Sequence, residues 1–290
     1  MKTIQPTLCR RGALLCAGAV LLVATGAQAQ TLNLYASSLA TGTITDYTPG
    51  GSSIFASALN SPVLMASDVS GDVYVATGNG VAEFTPSGAE TTLDSSLTGV
   101  LGVAVNASGD VFASSPVGIT EIAPNGNAST FVADGNRPVG LAVNSAGDLF
   151  EADYNTGAIN EYNPGGGFIT TFASGLIYPV GLAFDSAGNL YATSASGSGF
   201  IGLVTKYAPN GSPTLFASSV ANPNGIAVDA ANNVFVAAYS GNTINEYAPD
   251  GTLIGSIPLA GVEGLAVPEP STWAMMGLGA FGLFRLRRKQ

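Results

Sequence analysis

The sequence predicts an all-β chain folded as a six-bladed propeller, on three observations. A cassette of about 40 residues recurs six times, each copy holds four short strand-like runs, and the sixth copy is divided between the two ends of the chain. A unit of this size buries its faces only against its neighbours, so the repeat sets the architecture. Four strands per unit, repeated radially, leave only short sheet edges.

The first run of each copy is GLAV-like: LMAS at 64–67, GVAV at 102–105, GLAV at 140–143, GLAF at 181–184, GIAV at 225–228 and GLAV at 264–267. Successive starts lie 38, 38, 41, 44 and 39 residues apart. A turn of the form D/N-x-x-G-D/N follows, as at 144–148 and 185–189. Its Asp or Asn can fold onto the backbone while Gly takes the positive φ. The second run is NLYA at 189–192, and its sixth copy is NLYA at 33–36, with no GLAV run before it. The missing run is the one at 264–267, so the two ends together complete blade six. The third run alternates (ITDY, VAEF, INEY, VTKY) and leads into P-x-G turns at Pro49, Pro86, Pro124, Pro164, Pro209 and Pro249. A TTFA-like fourth run, at 170–173 in the third copy, closes the unit.

Residues 1–29 read as a signal peptide: Lys2, Arg10 and Arg11, an apolar stretch over 12–26, then Ala27-Gln28-Ala29 as an A-x-A cleavage site. Both cysteines, Cys9 and Cys16, fall within it. The exported chain is then expected to hold together by sheet packing and ring closure rather than disulfides.

Span 31–267, the propeller domain, carries Arg137 and Lys206 against eighteen Asp and Glu, a net charge of −16. Such a surface repels phosphate backbones, so nucleic acid is excluded as a partner. The charge also keeps an exported domain soluble. The chain contains no histidine, which excludes histidine acid/base chemistry and a Ser-His-Asp triad.

The C-terminus, over 268–290, has three parts in order. Pro268, Glu269 and Pro270 come first, an apolar segment from Trp273 to Phe284 follows, and Arg285, Arg287, Arg288 and Lys289 end it. As a short helix the apolar part reaches roughly 20 Å, against about 30 Å of bilayer hydrocarbon. The basic cluster would stay cytoplasmic and leave the propeller outside. This order resembles the PEP-CTERM sorting signal. The resemblance implies export through the inner membrane, transient anchoring there, and recognition of the Pro-Glu-Pro region by an exosortase-type processing enzyme. It further implies display at the cell surface or in the matrix, often beside exopolysaccharide, and no catalysis.

The body resembles NHL-type repeats and the gluconolactonase and streptogramin-lyase propellers. In the gluconolactonase-like group, the resemblance implies a divalent metal at the channel mouth, held by Asn, Asp or Glu just before the inner-strand Gly. Here those positions are Val63, Leu101, Val139, Val180, Asn224 and Glu263. Two oxygen donors fall short of the six to eight that calcium takes, even with help from Asp153 at the end of a second strand. Two alternatives stand: Asn224 capping a turn beside a solvated Glu263, with no cofactor, or a Ca²⁺-dependent lactonase-like mouth built on Asn224, Glu263 and Asp153.

GSGFIG at 197–202 fits G-x-G-x-x-G but runs into a strand, without the helix N-terminus that holds a pyrophosphate. The uniform turns should share one face of the disc, and the varied loops the other. Those loops carry Asp134, Asn136, Arg137, Asp153, Tyr154, Asn155, Tyr178, Asn222, Asn224, Tyr239 and Glu263. Aromatic and amide groups there suit an exopolysaccharide or a surface protein.

Overall fold

A computed structural model describes residues 33–133, 135–196 and 201–268. The signal-peptide segment 1–29, Asp134, and the tail from Glu269 and Pro270 through Trp273, Phe284, Arg285, Arg287 and Arg288 lie outside them. The ring begins with β1 (Leu34–Ser38), β2 (Thr43–Thr48) and β3 (Gly51–Ala56). Blade one is β4 (Met65–Ser67), β5 (Val73–Thr77), β6 (Gly80–Phe84) and β7 (Glu90–Asp94). Blade two is β8 (Gly102–Val105), β9 (Val111–Ser115), β10 (Gly118–Ile122) and β11 (Ala128–Ala133). Blade three is β12 (Pro138–Val143), β13 (Leu149–Asp153), β14 (Ala158–Tyr162) and β15 (Phe168–Ala173). Blade four is β16 (Leu182–Phe184), β17 (Leu190–Ala195), β18 (Ile201–Tyr207) and β19 (Pro213–Ala221). Blade five is β20 (Pro223–Val228), β21 (Val234–Ala238), β22 (Thr243–Tyr247) and β23 (Leu253–Pro258).

The last strand, β24 (Val262–Ala266), pairs antiparallel with β1, setting Tyr35 against Ala266 and Ala36 against Leu265. Blade six is therefore the sheet β24-β1-β2-β3, closed as the split repeat predicts. First strands meet in a closed cycle: β4 touches β8, β8 touches β12, and so on through β16, β20 and β24 back to β4.

The hydrophobic core is six separate clusters, one between each pair of adjacent blades. Leu34 and Ala36 of blade six pack on Phe235, Ala237 and Ile244 of blade five, and Tyr74 and Ala76 of blade one on Val103 and Val111 of blade two. The phenylalanine of the fourth run clamps several of these seams. Phe172 lies 5.1 Å from Phe150 in its own blade and 5.8 Å from Tyr207 in the next, both edge-on.

Why the inner strand begins with glycine follows from the packing at the axis. A Cβ on Gly140 would sit 1.8 Å from the Val180 carbonyl oxygen, and one on Gly264 2.2 Å from that of Val63. Each of these inner strands thus abuts the next one's backbone with no room for a side chain. Blade one, where Leu64 stands at this position, has Leu64 N–H donating to the Leu101 carbonyl at 3.4 Å.

Hydroxyls bolt every second seam. Ser37 accepts from Gly264 N–H of its own blade at 2.8 Å and donates to the Val63 carbonyl of blade one at 2.6 Å. Thr193 does the same between Gly181 N–H and the Asn224 carbonyl, both at 2.7 Å, and Ser114 donates to the Val139 carbonyl at 2.7 Å. Blades one, three and five carry Ala76, Ala152 and Ala237 at the same place.

The predicted turn chemistry holds in all five intact hairpins between first and second strands. In blade three, the Asn144 side-chain oxygen accepts from Ala146 and Asp148 N–H, both at 2.9 Å. Blade five departs in one residue: Asn232 takes the left-handed position, φ 64°, that Gly71, Gly109, Gly147 and Gly188 hold elsewhere. Asn tolerates that conformation better than other side chains.

Replacing Ser37 with alanine strands one donor and one acceptor in a buried seam. Urea unfolding of Ser37→Ala should show a loss of about 1–3 kcal/mol, while Ser52→Ala on the exposed β3 should stay within about 0.5 kcal/mol of the parent.

Candidate functional site

The two faces of the disc differ in chemistry. On the turn face, the second and third strands set an aromatic ring opposite a charge in every blade: Tyr35 with Asp46, Tyr74 with Glu83, Phe112 with Glu121, Phe150 with Glu161, Tyr191 with Lys206 and Phe235 with Glu246. Five of the six charges are acidic. Burial, and then the nearby Asp110, Asp148 and Asp229 carboxylates, raise the pKa of Glu121, Glu161 and Glu246 respectively. Blade four relieves the repulsion. Lys206 pairs with Asp185 at 3.2 Å and lies 4.9 Å over the Tyr191 ring. Burial pushes the Asp185 carboxyl up, but bonds from Asn189 and Lys206 outweigh it and hold it below the ordinary carboxylate range.

The loop face carries the candidate site. The channel waist beneath it is lined by Leu64, Met65, Val103, Leu141, Leu182, Ile226 and Leu265 around a cavity of about 20 Å³. That is space for one or two waters, so the waist itself does not hold a larger ligand.

At the mouth the structure brings Asn224 and Glu263 together. Asn224 leads into Gly225 on β20 and Glu263 into Gly264 on β24, in adjacent blades, and Asn224 Nδ2 donates to Glu263 Oε2 at 2.5 Å. Glu263 is not solvated in a loop and Asn224 does not cap a turn, as one sequence alternative holds. The glutamate lies within a strand at 8% exposure and its side chain is the amide's partner. The reason is ring geometry, which puts the residue before each inner glycine against the neighbouring blade. Burial raises the Glu263 pKa to about 7, with the Asn224 bond pulling the other way.

Asp153 is placed elsewhere. It ends the second strand of blade three, buried, with Oδ1 accepting from Asn155 and Thr156 N–H at 3.1 Å. It stands two blades from Asn224 and three from Glu263. The remaining mouth positions, Val63, Leu101, Val139 and Val180, offer no side-chain donor. Two oxygens from two adjacent blades do not fit the six to eight that calcium requires. Among the described residues no group of three or more His, Cys, Asp or Glu is disposed to hold a metal.

Further out, each inner strand is approached through a left-handed residue: Ser61, Gly99, Arg137, Tyr178, Asn222 and Gly261, with φ between 48° and 68°. Arg137 and Tyr178 converge on Tyr154, in the loop after β13. The Arg137 guanidinium carbon lies 4.4 Å from the Tyr154 ring centre, and the Tyr154 and Tyr178 rings stack at 4.8 Å and 20°. Sequence reasoning placed all three on this face but did not join them. It missed Glu151, wholly buried on β13, whose one signal is an acid inside the apolar run LFEAD.

Residues 266–289 match the PEP-CTERM protein-sorting motif. No curated protein matches the sequence. Among solved structures, a chain of a nidogen/laminin complex shares 17% identity at a TM-score of 0.73, over 82% of this chain and 98% of that one. A gluconolactonase from Xanthomonas campestris shares 19% at 0.63, over 80% and 87%. Virginiamycin B lyase from Staphylococcus aureus shares 18% at 0.52, over 68% and 69%, and a histidine-to-alanine variant of it is described as catalytically inactive. At these identities the likeness is one of fold. No helix of the described residues is long and apolar enough to cross a membrane.

Two outcomes follow from the charges. Glu246→Lys recreates beside Asp229 the pair that Lys206 makes with Asp185. It should raise stability by about 0.5–1 kcal/mol in low salt, with the gain shrinking in 0.5 M salt. The raised Glu263 pKa favours the folded state while the carboxyl keeps its proton. Relative to Glu263→Gln, the parent should therefore lose stability as pH rises from about 4.5 to 7 and level off above it, by on the order of 2–3 kcal/mol. Chemical denaturation across that range measures it.

Proposed function

We propose that this chain, a six-bladed propeller carrying a PEP-CTERM sorting motif, is a non-enzymatic binding module displayed at the cell surface or in the extracellular matrix, with exopolysaccharide as its ligand. The sorting motif implies export, membrane-anchored sorting and processing by an exosortase. The observation that carries the binding function is the loop face. There a guanidinium and two tyrosine rings cluster over blade three, on the same face as a mouth whose polar side chains, Asn224 and Glu263, are bonded to each other. A carboxyl with a pKa near 7 could exchange protons in catalysis, yet among the described residues no group of three or more His, Cys, Asp or Glu is disposed to hold a metal beside it.

Display depends on the last described residues. β24 ends at Ala266, so the strand that closes the ring runs almost directly into Pro268, Glu269 and Pro270. In a folded ring Pro268, the last described residue, follows the closing strand by two positions.

Purified full chain passed over the host's own exopolysaccharide should be retained. Substituting Pro268, Glu269 and Pro270 by alanine should leave the protein in the membrane fraction while retention is unchanged. Capture by a surface protein alone would replace the ligand class. No retention, together with lactone turnover and a saturable calcium titration lost in the Asn224→Ala, Glu263→Ala double variant, would replace binding with a metal-dependent lactonase.

A further inference from the structure

We propose that Arg137, Tyr154 and Tyr178 form a saccharide platform on the loop face of blade three, selective for sugars that carry a carboxylate. The proposal rests on the chain being a glycan-binding module and names where and what it binds. The Arg137 guanidinium carbon and the stacked Tyr178 ring both lie within 5 Å of the Tyr154 ring centre, so the three groups form one contiguous cluster. Tyr178 is 52% exposed to solvent. Tyr154 is fixed from below: its N–H donates to the Arg137 carbonyl at 3.2 Å, and Asp153 holds the next two N–H groups of the loop.

The backbone supplies an independent observation. Arg137 has φ 68° and Tyr178 φ 48°, a region that large side chains avoid. The other four blades fill the same place with Ser61, Gly99, Asn222 and Gly261. Folding alone is served by those small or amide residues. Two bulky ones, in consecutive blades and both packed on Tyr154, point to a demand other than folding.

The groups define the ligand. An exposed aromatic face is electron-rich and takes the C–H face of a pyranose ring. A guanidinium presents a fork of N–H donors that fits a carboxylate bidentately. The described residues contain two cations, and the one ion pair among them joins Lys206 to Asp185. Among the described residues Arg137 has no such carboxylate partner, which leaves its fork available to an acidic sugar. The domain's net charge of −16 repels polyanions in general, so binding depends on the stacked face and the fork acting together.

Calorimetric titration of the full chain with oligogalacturonate and with neutral dextran oligomers tests the platform, alongside thermal unfolding. The parent should bind the acidic sugar at least tenfold more tightly than the neutral one. Arg137→Asn and Tyr178→Asn take the residue that Asn222 supplies in blade five. Each should weaken oligogalacturonate binding tenfold or more while leaving Tm unchanged or higher, because the left-handed backbone is relieved. Tyr178→Phe, which keeps the stacked face, should retain binding within threefold. Oligogalacturonate binding unaffected by both Asn variants overturns the platform and leaves the module standing. Equal affinity for dextran overturns the carboxylate selectivity. Retention on host exopolysaccharide without binding to either sugar overturns the platform alone, and no retention on any glycan overturns both.

Discussion

Close backbone contact around the axis is the constraint on which everything else in this propeller depends. Inner strands sit so near one another that a methyl group on Gly140 or Gly264 would overlap the next strand's carbonyl oxygen. That proximity brings each second-strand hydroxyl within reach of two blades, and it holds the residue before each glycine against its neighbour. The ring is shut by β24 on β1, a contact between the two ends of the domain. With no single central core, stability is distributed over six seams, and loss of one opens the circle.

The hydroxyl bolts alternate. Ser37, Ser114 and Thr193 serve blades six, two and four, while alanine stands in blades one, three and five. The ring is thus chemically closer to three pairs of blades than to six equal ones. Variation confined to the inner seams leaves the uniform turn face intact. There the repeated carboxylates, half-buried near turn aspartates, have raised pKa values, and Lys206 shows how one substitution relieves the repulsion.

On the loop face the same scaffold positions two different polar arrangements. At the mouth, Asn224 and Glu263 satisfy each other and leave a partly desolvated carboxyl. Over blade three, a guanidinium and two tyrosines stack outward. The first arrangement closes on itself and the second faces solvent. The waist of the channel admits little more than water, while the stacked groups over blade three are open to a ligand.

Much of this was legible in the sequence. The period, the turn residues and the split sixth copy determined the propeller, its closure and the adjacency of ring and sorting motif, because these depend on local patterns that repeat. The tertiary structure alone decided which varied residues meet. Asn224 and Glu263 are 39 positions apart, and the spacing suggested a mouth without showing that one side chain would bond and bury the other. Arg137, Tyr154 and Tyr178 stood among eleven loop residues with nothing in their order to join them. Glu151 and the seam hydroxyls read as ordinary members of strands. Contacts of this kind are made between blades, where the angle and distance from one sheet to the next set the partners, and those quantities are properties of the closed ring rather than of any repeat within it.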